Sequence, residues 1–167
     1  MPGFKINNGG GDADAKVESN RKHRWKFSLQ SIQQECVYLA SAQRPHFIAD
    51  EVIMHHDQEQ VYFAGKHHWD PITLVFYDVY GGNADTSSKI WNWINECIKI
   101  NEASANTPSS YKKNADLQMT NAAGAVRETW KIYNTWAIDA NFNDLDYSVS
   151  EIATIDVSMK YDRASRQ

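Results

Sequence analysis

Four of the six histidines in this 167-residue chain stand as adjacent pairs, His55-His56 and His67-His68, with Asp57 and Asp70 close by. Imidazole nitrogens and carboxylate oxygens are ligands for zinc and non-haem iron, and such a metal could activate water for hydrolysis. On a strand, however, neighbouring side chains point to opposite faces, so each pair offers at most one ligand per face. A hairpin turning at Gln58-Glu59 sets His56 against Val61 and His55 against Tyr62, and sets His67 and His68 against Asp50 and Ala49. In that register the pairs do not meet. Their spacing also matches no zinc or iron signature, so they are expected to be surface or interface histidines, with no metal bound. A small metal-dependent hydrolase built on His55, His56 and Asp57 is the catalytic alternative.

Other chemistry finds less support. There is no Gly-x-Ser-x-Gly elbow and no Gly-x-x-x-x-Gly-Lys phosphate loop. Gly9-Gly10-Gly11 is not followed by a strand–turn–helix, and Lys112-Lys113 is too short for a nucleic-acid patch. Acidic pairs such as Asp50/Glu51 and Asp144/Asp146 are ordinary in an acidic chain and give no glycosidase signature. The expectation is a protein with no catalytic residue and no cofactor. A formal charge of −4 and a pI near 5.8 argue against nucleic-acid or anionic-membrane binding. Two cysteines, Cys36 and Cys97, make neither a disulfide framework nor a zinc ribbon and are expected to be free thiols. The first residues lack an apolar signal-like stretch, and no apolar run reaches the ~20 residues that span a bilayer. Synthesis and folding in the cytoplasm are therefore expected.

The elements that would carry these side chains are mostly strands. Residues 1–21, polar and rich in glycine, predict a flexible arm, and residues 22–167 predict a single β-domain. Trp25, Phe27 and Leu29 alternate with polar neighbours, and a second strand is expected over Cys36–Ala40. Phe47–Asp57 and Gln60–Gly65 predict a hairpin. Phe47, Ile48, Val52, Ile53 and Met54 spread over both of its faces, which asks for cover on both, and a neighbouring subunit could supply it. Ile72–Tyr77 is apolar on both faces, as a central strand is. Ile90, Trp91, Ile94, Cys97 and Ile98 form one stripe of a helix over about 86–101, capped by Asp85, Thr86 or Ser87. Ile90, Trp91, Ile94 and Ile98 should pack it on the sheet. Ala115, Leu117 and Met119 share an inward parity. Val126, Trp130, Ile132, Trp136 and Ile138 share another, and Ala153, Ile155, Val157, Met159 and Tyr161 a third. About seven strands and one helix predict a mainly β fold, a rolled antiparallel barrel or sandwich with one flanking helix.

The run Gly65-Lys66-His67-His68-Trp69-Asp70-Pro71-Ile72-Thr73-Leu74-Val75-Phe76-Tyr77-Asp78, with its Trp-x-Pro-Ile-Thr-Leu core, resembles the tail tube proteins of contractile-tailed bacteriophages. The helix bearing Trp91 and Trp93, the strand opening Tyr111-Lys112-Lys113-Asn114-Ala115, the run Glu128-Thr129-Trp130-Lys131-Ile132 and the final Ile152–Asp162 follow in that family's order. The resemblance covers roughly residues 22–164.

That resemblance implies a structural subunit: a rolled β-barrel that forms hexameric rings, stacked into a tube. It implies a surrounding sheath protein, a tape measure protein inside, and baseplate and tail-terminator proteins at the ends. DNA would pass through the lumen without specific binding, the setting being the virion tail, assembled in the host cytoplasm. Six copies at −4 each suit a channel that repels DNA. Phe47, Ile48, Val52, Ile53, Met54, His55, His56, Asp57, Gln58 and Glu59 are then expected at an inter-subunit interface. Asp116, Glu151 and Asp156 are candidates to face the lumen. A type VI secretion tube subunit shares the implied fold. A monomeric carbohydrate-binding sandwich using Trp69 or Trp93 as a sugar platform is the alternative outside this class.

Overall fold

The computed structural model describes residues 20–30, 38–81, 85–99, 102 and 104–167. The expected glycine-rich arm therefore falls almost wholly outside the described residues, as does Cys36. Within them the chain forms eleven strands and two helices. In order these are β1 (Trp25–Leu29), β2 (Leu39–Ala42), β3 (Phe47–His56), β4 (Glu59–Trp69), β5 (Ile72–Tyr77), α1 (Thr86–Cys97), β6 (Ile98–Lys99), β7 (Ser104–Ala105), α2 (Pro108–Tyr111), β8 (Lys113–Thr120), β9 (Val126–Asn141), β10 (Thr154–Lys160) and β11 (Arg163–Arg166).

Seven strands make one antiparallel sheet in the order β1-β8-β9-β10-β5-β2, with β11 also paired to β9. β9, 16 residues long, belongs to both halves of it. One edge of β9 takes β8; the other takes β11 along Trp130–Tyr133 and β10 along Trp136–Asn141. β10 and β11 act as one interrupted strand, since Lys160 faces Trp136 and Arg163 faces Tyr133 in unbroken register. The inward residues of both halves form a single core: Phe27, Leu29, Leu117 and Ile132 from one, Leu74, Phe76, Val157 and Met159 from the other. The outer strands β1 and β2 do not pair with each other, so the sheet folds over as an open sandwich and not as a closed barrel.

The inward parities expected for β1, β8 and β10 match the burial. β9 departs from a uniform period of two. Glu128 and Ile132 are buried before Asn134, but Thr135 and Ala137 after it, so the inward parity switches. Asn134 has a left-handed φ of 57°, and β9 carries one residue more than β8 between Ile132 and Thr135. That bulge bends the strand from one half of the sheet into the other. It also turns Ile138, expected inward, out to 42% exposure.

Helix α1 is shorter than the expected 86–101 and ends at Cys97. Asp85 caps it, its carboxylate accepting bonds from the Ser88 amide (3.0 Å) and hydroxyl (2.7 Å), which lower the Asp85 pKa. Ile98 is already extended and pairs with Ala105, a pairing that stops the helix and leaves Ile98 half exposed. The buried stripe is Thr86, Ile90, Trp93 and Cys97, with Ile94 packed beside it. Trp93 is 1% exposed and Trp91 45%, which corrects the expected role of Trp91. The reason is angular: with 3.6 residues per turn, Trp93 is turned about 60° from Ile90 on the side where Cys97 lies, while Trp91 is turned about 100° from Ile90 to the opposite side.

Candidate functional site

The hairpin β3–β4 forms a sheet of its own and pairs with no other described strand. Its turn is Asp57-Gln58, one residue earlier than expected. Asp57 takes a left-handed φ of 53°, a conformation that Asp tolerates in tight turns. The register is therefore His56 opposite Glu59, His55 opposite Gln60, Ala49 opposite His67 and Ile48 opposite His68. Between Ala49 and Glu51, β4 spends two residues, Gly65 and Lys66, against the single Asp50. Gly65 suits the close approach there: an added Cβ would sit 3.0 Å from the Asp50 carbonyl oxygen, a tight contact.

Residues directly opposite in an antiparallel pair share a face. Ile53 and Tyr62 therefore lie on one face, and Val52, Met54, Val61 and Phe63 on the other. With Phe47, these seven large apolar side chains are each 40–60% exposed. Exposed apolar area thus lies on both sides of one ribbon. Val61, Tyr62 and Phe63 were missing from the expected interface. Their signal was the same one that exposed β3: consecutive apolar residues that fill both parities.

The root of the ribbon is firmly anchored. Trp69 packs edge-on against Phe47 (5.3 Å) and against the buried Tyr161 of the core (5.9 Å), and Phe47 also meets His67 (5.4 Å). His46 Nδ1 and Asp70 Oδ2 are 2.9 Å apart, and the Asp70 amide donates to the His46 carbonyl. Burial pushes the Tyr161 phenol up to about 12, so it is uncharged at any physiological pH.

The other candidates disperse. Among the described residues no three His, Cys, Asp or Glu side chains converge as metal ligands would. His56 and Asp57 make a loose exposed pair at 3.5 Å. Trp93 is in the core and Trp69 is wedged between Phe47 and Tyr161, so neither offers a flat sugar platform. Asp116 stands on the outer side of the half built on β8, and Asp156 on the outer side of the half built on β10, where Asn143 donates to it at 3.2 Å. The two halves enclose one core, so these outer sides turn away from each other. Glu151 lies in the exposed loop between β9 and β10. No helix among the described residues is long and apolar enough to cross a membrane.

The described residues thus form an open antiparallel sandwich that carries an exposed apolar ribbon. The chain belongs to the T4-like virus tail tube protein gp19 family, whose model matches residues 58–165. It is similar to the tail tube protein of Serratia phage KSP90, with 21% identity over 143 residues and 80% of each chain covered. Among solved structures, it is similar to a chain in the cap of the anti-feeding prophage, described as a tube-terminating cap (TM-score 0.74, 22% identity, 93% of this chain and 95% of that one). It is likewise similar to a chain in the sheath–tube complex of the extracellular contractile injection system PVC (TM-score 0.70, 19% identity, 89% and 91%). A type six secretion system protein shares the fold more distantly (TM-score 0.53, 8% identity, 86% and 82%). By family, this protein is thus a tail tube protein.

Proposed function

We propose that this chain forms hexameric rings that stack into the tube of a contractile tail, with the β3–β4 ribbon as the inter-subunit contact. The observation that carries this is the ribbon itself: Ile53 and Tyr62 on one face and Val52, Met54, Val61 and Phe63 on the other are each 40–60% exposed, on strands that pair with no other described strand. Burying both faces needs at least one neighbour, and a contact between two different surfaces propagates into rings or filaments. The extended edges of β1 and β2, each paired on one side only, invite further strand pairing between copies.

The same reading assigns the lumen to the tape measure protein during assembly and to DNA afterwards. The sheath lies outside, and baseplate and terminator proteins close the ends. Subunits of net charge −4 would give a tube that is acidic overall, and that balance would favour DNA sliding over holding. The setting is the virion tail, assembled in the host cytoplasm, and the work is mechanical rather than catalytic.

The test is negative-stain electron microscopy with light scattering of the purified full chain, with and without preformed baseplates as nuclei. Hollow rings or rods of uniform width are expected. A protein that stays monomeric at high concentration and on baseplates overturns the reading.

A further inference from the structure

The outer strands of the sheet, β1 and β2, leave a seam, and a cleft of about 420 Å³ opens in it. Trp25, Leu117, Met119 and Ala42 give the cleft apolar walls, while Lys22, just before β1, and Arg44, just after β2, bring two cations to one end. Arg44 reaches over the wall, its Nη1 lying 3.9 Å from Met119 Sδ. The β1 side of the seam has backbone groups to satisfy. Arg24 and Gln30 bond β8, the Arg24 carbonyl accepting from the Thr120 amide (3.0 Å) and the Gln30 amide donating to the Asn114 carbonyl (3.3 Å). Bonding residues alternate along an antiparallel pair, so Trp25, Phe27 and Leu29 turn their N–H and C=O groups away from β8, toward the seam. Phe27 is nonetheless 2% exposed and Leu29 0%. Buried backbone groups need partners, and no described strand pairs on that side of β1.

We infer that residues 12–19 of the same chain, which lie outside the described ones, supply the strand that fills this seam. The run Asp12-Ala13-Asp14-Ala15-Lys16-Val17-Glu18 alternates charged with small apolar residues, the pattern of a strand with one buried face. Small side chains suit a seam whose inner side Phe27 and Leu29 already fill. With Ala13, Ala15 and Val17 turned inward, the three carboxylates share the outer face with Arg24 and Lys26, and Glu18 comes nearest the end held by Lys22 and Arg44, so opposite charges meet. Chain continuity gives the direction. The Arg24 amide bonds the Arg21 carbonyl at 3.1 Å, and that turn sends the preceding residues back along β1, antiparallel to it. Eight extended residues span roughly 26 Å, enough to cover the ~17 Å of β1. Residues 31–37 join the opposite ends of β1 and β2, away from Lys22 and Arg44. One consequence rests on the proposed tube function: the edges of β1 and β2 are those offered for pairing between copies, so the segment shields them in the free subunit and assembly has to displace it.

Two experiments on the full chain test this. In the first, a Cys36→Ser, Ala42→Cys background receives Cys in turn at Ala15, Lys16, Val17 and Glu18, and each protein is oxidised at low concentration. Intramolecular disulfides are expected in a period of two, high from Ala15→Cys and Val17→Cys and low from Lys16→Cys and Glu18→Cys. Yields without that alternation, no links at all, or links only between different chains overturn the inference and leave the tube function standing. In the second, amide exchange is followed in wild type and in Val17→Asp, which puts a charge on the inward face of the segment. The Phe27 and Leu29 amides should exchange about tenfold faster in the variant, with the Ile132 and Val157 amides unchanged. Equal rates at Phe27 and Leu29 overturn the inference. The same variant should form tubes at a lower concentration than wild type. Faster exchange with an unchanged threshold keeps the strand and rejects the shielding, and alternating cross-links in a wild type that forms no tubes keep the strand and reject the tube.

Discussion

Lys112 and Asp162 are joined at the corner of the sandwich, Nζ lying 2.8 Å from Oδ1 and 2.9 Å from Oδ2, although 50 residues separate them in sequence. Asn134 Nδ2 donates to the same carboxylate at 2.9 Å. Asp162 thus pins the break between β10 and β11 to the bulge of β9 and to the start of β8. The Lys112 bond, the largest influence, holds its pKa below the usual Asp value; burial opposes it, and the Asn134 bond and the Lys112 charge add to the lowering. A depressed carboxylate stabilises the fold above its unfolded pKa, and that stability is lost as pH falls through the folded value. Asp162→Asn should therefore lower stability at neutral pH by about 1 kcal/mol or less, since the pair is partly exposed and screened. The difference from wild type should vanish as the pH is taken below the ordinary carboxylate range. Urea titrations at pH 7 and at successively lower pH measure it, and a difference independent of pH would dismiss the role of the charge.

The positive φ of Asn134 makes a second, separable prediction. Glycine adopts φ 57° freely, whereas a β-branched residue does so only under strain. Asn134→Gly should lose only the bond to Asp162, while Asn134→Val should be less stable than Asn134→Gly by about 2 kcal/mol. Equal stabilities in denaturant would mean that the bend is relaxed elsewhere.

Much of this architecture is written in alternation. β1, β8 and β10 bury Phe27, Leu117 and Val157 where a period of two puts them, because each strand keeps one face on the core throughout. Periodicity fails where a single residue changes the phase. Nothing in the apolar pattern of Val126–Ile138 announces a bulge, and the local sign was Asn134, a residue that enters the left-handed region more readily than most. Asp57 carried a similar sign at the hairpin turn, and it moves the partners of His55 and His56 by two positions along β4. The two tryptophans of α1 are separated only by angle: either fits an apolar stripe, and the phase set by Ile90 and Cys97 decides for Trp93. The ribbon was legible because both parities of β3 are apolar.

The helix phase can be tested directly. Trp93→Ala removes a fully buried indole and should cost about 3–5 kcal/mol, enough to threaten folding. Trp91→Ala, at a half-exposed site touching Phe142 at 6.2 Å, should cost roughly 1 kcal/mol or less. Thermal melts of the two variants give the comparison, and equal losses would contradict the assigned phase.

Anchoring at the root of the ribbon should matter more for assembly than for stability. Ile53→Asp places a charge on a side chain that is 42% exposed in the free subunit, so its melting temperature should stay near wild type while tube formation is lost. Normal tubes from Ile53→Asp would remove that face of the ribbon from the interface. Trp69→Ala acts differently. It leaves every exposed apolar side chain of the ribbon in place but deletes the ring that links Phe47 to Tyr161. The ribbon would then sample many orientations, and docking would have to restrict them, a cost that a pre-organised ribbon avoids. If that cost is about 1.4 kcal/mol, the concentration needed for assembly rises about tenfold. Trp69→Phe keeps a ring at the site and should recover most of the loss. Sedimentation of subunits across a concentration series gives the threshold for each variant. A threshold in Trp69→Ala that equals wild type, with Ile53→Asp still blocked, would show that the ribbon contacts its partner without being aimed by its root.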